Sequence, residues 1–208
     1  MPIHAIIGVF VKLFVLLTPF FVLSVFVTMT SDRTIRERRS VAWRTALAIW
    51  IICVTIYLFG DRIFAYLGIT LEAFQAGAGV LLLLSGIELV RGTPVATNGL
   101  RRAAESDGGD ISVVPLAIPY TVGPGSIGTL LVMGASSGND WTVRLVDLSG
   151  LTIAVLCVGV MLYFSTRLES WLGAKGLNIL TKLTGLFLAA LAAQLILNAL
   201  KTLLPAAA

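Results

Sequence analysis

The groups best placed to do chemistry in this chain are backbone amides and small hydroxyls around two proline sites in apolar surroundings. The first is Pro115-Leu-Ala-Ile-Pro119-Tyr-Thr-Val-Gly123-Pro124-Gly125-Ser126, three prolines and two glycines within one apolar stretch. Proline removes a backbone donor and clashes with the preceding turn. It also pushes the residue before it out of helical geometry. Gly123-Pro124-Gly125 is therefore expected to interrupt a helix and to open a new half-helix just after it. The positive end of such a half-helix, with its free amides, suits an anionic group such as a carboxylate. Thr121 and Ser126 add hydroxyls beside it. The second site is Thr18-Pro19, with Ser24 a turn or so beyond. A kink without further role is the plainer reading of Pro19 alone, but it fits the Gly-Pro-Gly run less well.

Other polar residues in apolar stretches have structural readings beside functional ones. Lys12 and Lys182 lie near enough to stretch ends to snorkel to an interface, and a place in a solute pathway is the alternative. Gln194 and Asn198, four apart on one helical face, suit either a polar cavity or a bond to a neighbouring helix, the second being the safer reading. Glu88, three residues before Arg91, suggests an interfacial ion pair. Glu72 and Asp147 fall at stretch starts, where a carboxylate complements the helix dipole, and neither is expected in a proton relay. Gly77, Gly79 and Gly185 are expected to permit close helix packing. Cys53 and Cys157, each in an apolar run, read as small core residues. A single histidine, His4, without a Cys/His cluster argues against a metal centre, and no hydrolase, nucleotide-binding or zinc motif is present.

Six elements must position these residues. Apolar stretches run over about 5–29, 41–59, 71–90, 111–133, 146–164 and 177–200. Each approaches the roughly 20 residues a spanning helix needs. Of 208 residues, 57% are hydrophobic and only 12% charged, against about 25% charged in soluble domains. That balance excludes a soluble enzyme and a disordered chain. The stretches lack barrel alternation, and open sheets do not cross a bilayer. The expected fold is an all-α integral membrane protein with six transmembrane helices, one domain over 1–208, helices one and four interrupted mid-membrane. The first stretch is too long for a secretory signal, and its cations follow rather than precede it. A net charge of +4 reads as loop cations, not nucleic-acid binding. Arg33, Arg36, Arg38, Arg39, Arg44, Arg91, Arg101, Arg102, Arg167 and Lys175 fall on one side, against Arg62, Arg144 and Lys201 on the other. The positive-inside rule puts the first group in the cytoplasm and both termini outside.

The halves repeat weakly: 1–91 and 111–208 flank a Gly-, Asn- and Ser-rich cytoplasmic linker at 92–110. Pro19 pairs with Pro119, Phe59-Gly-Asp-Arg62 with Phe164-Ser-Thr-Arg167, and Leu71, Gly79, Leu82 and Glu88 with Leu177, Gly185, Leu188 and Gln194. Repeats of three spans must sit in opposite orientations, an inverted-repeat plan common among secondary transporters.

At these residues the chain resembles, over most of its length, the MarC family of bacterial six-span membrane proteins, which includes small neutral amino acid transporters. That family typically has Asn-Pro-x-Gly-x-x-Pro in span one and Ile-Pro-x-x-x-Gly-Pro-Gly in span four. Ile118-Pro119-Tyr-Thr-Val-Gly123-Pro124-Gly125 fits the second. In the first, Pro19 is kept, but Thr18 replaces Asn, Phe21 replaces Gly and Ser24 replaces Pro. Leu180-Thr-Lys182-Leu-Thr-Gly185 resembles the span-six pattern, with Lys in place of Arg. The resemblance implies a secondary transporter of small neutral amino acids or similar solutes in the bacterial inner membrane. Its substrate would sit at Thr18, Pro19, Ser24, Pro119, Thr121, Gly123, Pro124, Gly125 and Ser126. The degraded first motif leaves a non-transporting scaffold or accessory protein as a rival, and a passive channel is a third reading. No enzyme activity and no cofactor are expected. A coupling ion, proton or sodium, is left open, as is a homo-oligomer. The expected partners are membrane lipid and the solute itself.

Overall fold

The structure is a computed structural model that describes residues 2–68, 70–92, 111–138 and 140–203. Every regular element in it is helical: α1 (Pro2–Leu16), α2 (Pro19–Met29), α3 (Ile35–Leu67), α4 (Leu71–Arg91), the π-helical α5 (Ser112–Thr121), α6 (Pro124–Ser136), α7 (Trp141–Tyr163) and α8 (Ser165–Leu203). By length and composition α3, α4, α7 and α8 are each able to cross a membrane, and α1 with α2, bent by 43°, forms a fifth crossing if counted as one span. The stretch expected as the fourth span divides into α5 and the short apolar α6. The linker expected at 92–110 lies outside the described residues beyond Gly92, with Arg101 and Arg102 in it.

Local sequence chemistry sets the helix ends. Thr34 and Glu37 form a reciprocal capping box at the start of α3: the Thr34 amide donates to Glu37 Oε2 at 2.8 Å, and the Glu37 amide donates to Thr34 Oγ1 at 3.4 Å. Thr70 Oγ1 accepts the Ala73 amide at α4, and Asp140 Oδ1 accepts the Thr142 amide at 2.9 Å at α7. Gly92 closes α4 in the left-handed conformation, at φ 66°. The elements that outrun the apolar stretches furthest are α3 and α8. α3 begins in the charged segment at Ile35, because the capping box nucleates it there. α8 begins at Ser165, where a loop was expected, and Gly173 (φ 64°, ψ 169°) breaks it into a short and a long piece.

The packing is built on small residues, as expected where lipid gives helices no hydrophobic reason to associate. α4 and α8 make the most extensive contact, α1 packs on α7, and α3 packs on α6 and α7. At the α4–α8 crossing a Cβ on Gly86 would come within 2.8 Å of the Gly185 carbonyl oxygen, and one on Gly79 within 3.1 Å of the Ala192 carbonyl oxygen. Gly79 and Gly185 therefore do permit close approach, whereas Gly77 faces open space. Leu13, Leu16, Leu23, Phe26, Leu82, Leu116 and Leu188 fill the interior, while Trp43, Leu47, Ile51, Leu186 and Phe187 point outward, as a lipid-facing surface requires.

Candidate functional site

Two helix interruptions meet in the interior. The first lies between α1 and α2. Thr18 sits there in the left-handed conformation (φ 48°, ψ 53°), and Pro19 is the first residue of α2. A β-branched residue in that conformation is strained, and Asn or Gly adopts it more readily. The second interruption is α5 and the turn that follows. Val114 (φ −124°, ψ 122°) and Ile118 (φ −127°, ψ 128°) are extended inside it. Each precedes a proline, which is the geometry the proline ring imposes on its predecessor. With donors missing at both prolines, wider turns form instead: the Leu116 amide donates to Ile111 O, and the Val122 amide to Ala117 O. Gly123 then caps α6 in extended geometry (ψ 174°), and Pro124 is its first residue.

Side chains from one break serve carbonyls of the other. Ser126 Oγ donates to Leu16 O at 3.1 Å, the carbonyl left without an α-helical partner where α1 ends. Thr18 Oγ1 points to Tyr120 O at a longer 3.5 Å, and Thr121 Oγ1 donates to Leu116 O at 2.8 Å. Neither N-cap residue, Thr18 of α2 or Gly123 of α6, makes a side-chain capping bond. Pro19 and Pro124 each begin a helix, whereas Pro119, the residue paired with Pro19 in the sequence, lies within α5.

A cavity of about 700 Å³ opens beside these breaks, lined by Thr18, Ser24, Thr121, Gly123, Gly125 and Ser126 among others. All six were expected at a site from sequence. The prolines contribute through the backbone they bend. Sequence reasoning missed Tyr120 as a site residue. Tyr120 is 6% exposed and lines this cavity, yet its hydroxyl has no hydrogen-bond partner among the described residues. Phe21 packs edge-on against the Tyr120 ring at 5.9 Å between centroids, so it narrows the cavity where a glycine would leave room. Glu88, expected to pair with Arg91, is among the residues lining this cavity, as are Glu169 and Asn178.

A second cavity, about 520 Å³, lies toward the opposite ends of α4 and α8 and is lined by Lys12, Gln75, Asp147, Gln194 and Asn198. Leu16 and Leu82 line both cavities and so form the partition. Lys12, Gln194 and Asn198 are thus brought together. Lys182 is not with them: it is exposed on α8, beside Gly92. The placing of Asp147 at a helix start is corrected. Asp140 caps α7, and Asp147, two turns in, is buried against α3 and the end of α6. Tyr57 Oη donates to Asp147 Oδ2 at 2.9 Å, and Ser137 Oγ lies 2.9 Å from both of those oxygens. Nothing in the sequence spacing joins Tyr57, Ser137 and Asp147. The one signal was an acid within an apolar helix.

Comparison with known proteins fits this architecture. Residues 3–204 match the model of the MarC family integral membrane protein. The chain is 35% identical to the UPF0056 membrane protein of Methanocaldococcus jannaschii, covering 92% of this chain and 94% of that protein. It is 28% identical to the UPF0056 membrane protein YvbG of Bacillus subtilis, covering 96% of each. With YhcE of Escherichia coli it shares 27% identity over 94% of this chain and 92% of that protein. No solved structure matches.

Proposed function

The chain belongs to the MarC family of integral membrane proteins, and from that premise we propose that it is a secondary transporter of small neutral amino acids or similar small solutes across the cytoplasmic membrane. In this reading α1–α2, α3, α4, α5–α6, α7 and α8 are six crossings, arranged as two inverted repeats with both termini outside. The α4–α8 crossing supports the repeat. At the offset that pairs Leu71 with Leu177, Gly79 pairs with Gly185 and Gly86 with Ala192. The close approach of Gly79 to Ala192 is then the mirror of that of Gly185 to Gly86, and Gly79 against Ile196 mirrors Gly185 against Val90. Interrupted spans at matching places in two halves mark transporter binding sites.

The substrate occupies the larger cavity. The uncapped start of α6 at Gly125 and Ser126 receives its carboxylate, and Thr18, Ser24 and Thr121 line the remainder. The observation that carries the reading is Tyr120, which lines the cavity and whose buried hydroxyl has no partner among the described residues. An unsatisfied buried donor costs about 1–3 kcal/mol, a cost that a bound solute relieves. Two cavities separated by Leu16 and Leu82 suit access from alternate sides.

The test is uptake of radiolabelled glycine and alanine into proteoliposomes by the wild type and Tyr120→Phe. Wild-type uptake is expected to saturate. Tyr120→Phe, which removes a hydrogen bond to a charged or polar solute worth about 1.5–3 kcal/mol, is expected to raise the half-saturating concentration about tenfold or more. No uptake from folded wild-type protein would favour the scaffold reading, in which Thr18 and Phe21 mark a site that no longer transports.

A further inference from the structure

We propose that Asp147 is a proton-binding site in the second cavity and that its protonation couples solute movement to a proton gradient, an inference that rests on the transport reading above. An ionisable residue inside a membrane span marks function unless it is paired for structure alone. Asp147 is 8% exposed, within the apolar α7, and lines a cavity rather than closed core.

The geometry of its partners serves both protonation states. Asp147 Oδ2, Tyr57 Oη and Ser137 Oγ form a triangle with each edge 2.9 Å. When Asp147 is ionised, the Tyr57 proton points at its carboxylate oxygen, and the Ser137 proton is shared between that oxygen and Met133 O at 2.8 Å. When it is protonated, three protons serve three edges and the hydroxyls turn to form a ring. Neither state strands a buried donor, so the site can change charge without breaking the packing of α3, α6 and α7 around it. Both hydroxyls meet the carboxylate at Oδ2, and the residue lines the cavity, from which a proton reaches it.

The charged groups around it favour a proton over a metal cation. Lys12 of α1 lies in the same cavity and interacts electrostatically with Asp147. Arg144, one turn before Asp147 on α7, acts on the same Tyr57. Tyr57 is the titratable group facing it from α3. α6 brings no charged residue, α4 brings Gln75, and α8 brings the neutral Gln194 and Asn198. His4 of α1 is exposed, and Asp140 is engaged in capping α7. A sodium ion at Asp147 would add positive charge beside Lys12 and Arg144, whereas a proton only cancels the negative charge that acts on Lys12. Lys12 stands one helical turn before Leu16, on the same face of α1. Leu16 is the partition residue whose carbonyl Ser126 grips at the substrate break. A change of charge at Asp147 is thus felt, through Lys12, one turn from the barrier between the cavities.

The experiment compares wild type and Asp147→Asn, which is close in shape and still accepts from Tyr57, in two proteoliposome assays with labelled alanine. In exchange against internal alanine, without any gradient, both proteins are expected to run at rates within about twofold of each other. In uptake driven by an imposed pH gradient, the wild type is expected to concentrate alanine and Asp147→Asn only to equilibrate it. Concentration by the variant equal to that of the wild type, or wild-type concentration under a sodium gradient alone, would overturn the proposal. Absence of exchange in the wild type would instead sink the transport reading. An assay independent of any solute keeps the two apart. A pH-difference infrared spectrum of the wild type is expected to show a carboxyl C=O band that is missing in Asp147→Asn, and an identical spectrum in both would contradict a proton site at Asp147.

Discussion

Replacing Gly125 with leucine is expected to reduce transport to background while the helices remain formed. Gly125 is the second residue of α6, at the start of the half-helix where the solute carboxylate is proposed to bind. A Cβ there would come within 2.8 Å of Leu82 Cα and 2.9 Å of Leu82 Cδ1. The first neighbour is backbone, so a rotamer change at Leu82 does not relieve the clash. α6 must move away from α4, and with it move the amides of Gly125 and Ser126 and the Ser126 bond to Leu16 O. Overpacking of this kind costs about 1–3 kcal/mol, which the helix bundle as a whole absorbs more readily than a binding site does. Because Leu82 is also a partition residue, the shift disturbs the barrier between the cavities. The measurement is alanine uptake together with the circular dichroism of the purified variant. Near-wild-type uptake would remove Gly125 from the site.

The second large effect is on folding. Gly86→Leu is expected to destabilise the protein by about 3 kcal/mol, the upper end for overpacking, and to lower the yield of folded material. Its Cβ would meet the Gly185 carbonyl oxygen at 2.8 Å and the Ala189 amide nitrogen at 3.0 Å, both backbone atoms of the facing helix. Two helices that touch through their backbones have no side chain to give way. Gly77 supplies the control. It lies on the same helix with nothing within 4 Å of its Cβ position, so Gly77→Leu is expected to leave stability unchanged or raise it by up to about 1 kcal/mol, since leucine is the better helix former. Thermal unfolding in detergent compares the three proteins. Equal midpoints for Gly86→Leu and the wild type would show that α4 and α8 do not cross at Gly86.

What the sequence made legible was whatever proline and glycine dictate locally. Val114 and Ile118 leave helical geometry because each precedes a proline, and that rule needs no tertiary knowledge. Pro19 and Pro124 begin helices for the same local reason. The hydroxyls of Thr18, Ser24, Thr121 and Ser126 were legible as a group because they lie within a turn or two of those breaks. Apolar sequence offers many accidental matches: Pro19 was set against Pro119, while the other proline that begins a helix is Pro124. Tyr120 escaped notice because an unpartnered hydroxyl is a property of its surroundings. The Tyr57–Ser137–Asp147 triangle escaped because its members come from three elements whose meeting depends on how α3, α6 and α7 pack. Composition placed Asp147 near a span end, where a dipole role sufficed. The structure gives that role to Asp140 and leaves Asp147 buried. Thr18 shows the opposite case. Its family resemblance marked it as a departure, and its left-handed backbone gives the physical cost of having threonine there, where asparagine fits with less strain.

The central claim is that a small amino acid binds where the two breaks meet, and substrate protection of one cavity residue tests it most directly. Ser24 lines the larger cavity and is half-buried. Ser24→Cys would be made in a chain whose free cysteines, Cys53 and Cys157, are replaced by alanine, and its reaction with a small maleimide followed in proteoliposomes. Saturating alanine is expected to slow the labelling at least about fivefold, while an organic cation of similar size leaves it unchanged. Labelling that proceeds at one rate with and without alanine, in protein that still takes up alanine, would place the substrate elsewhere.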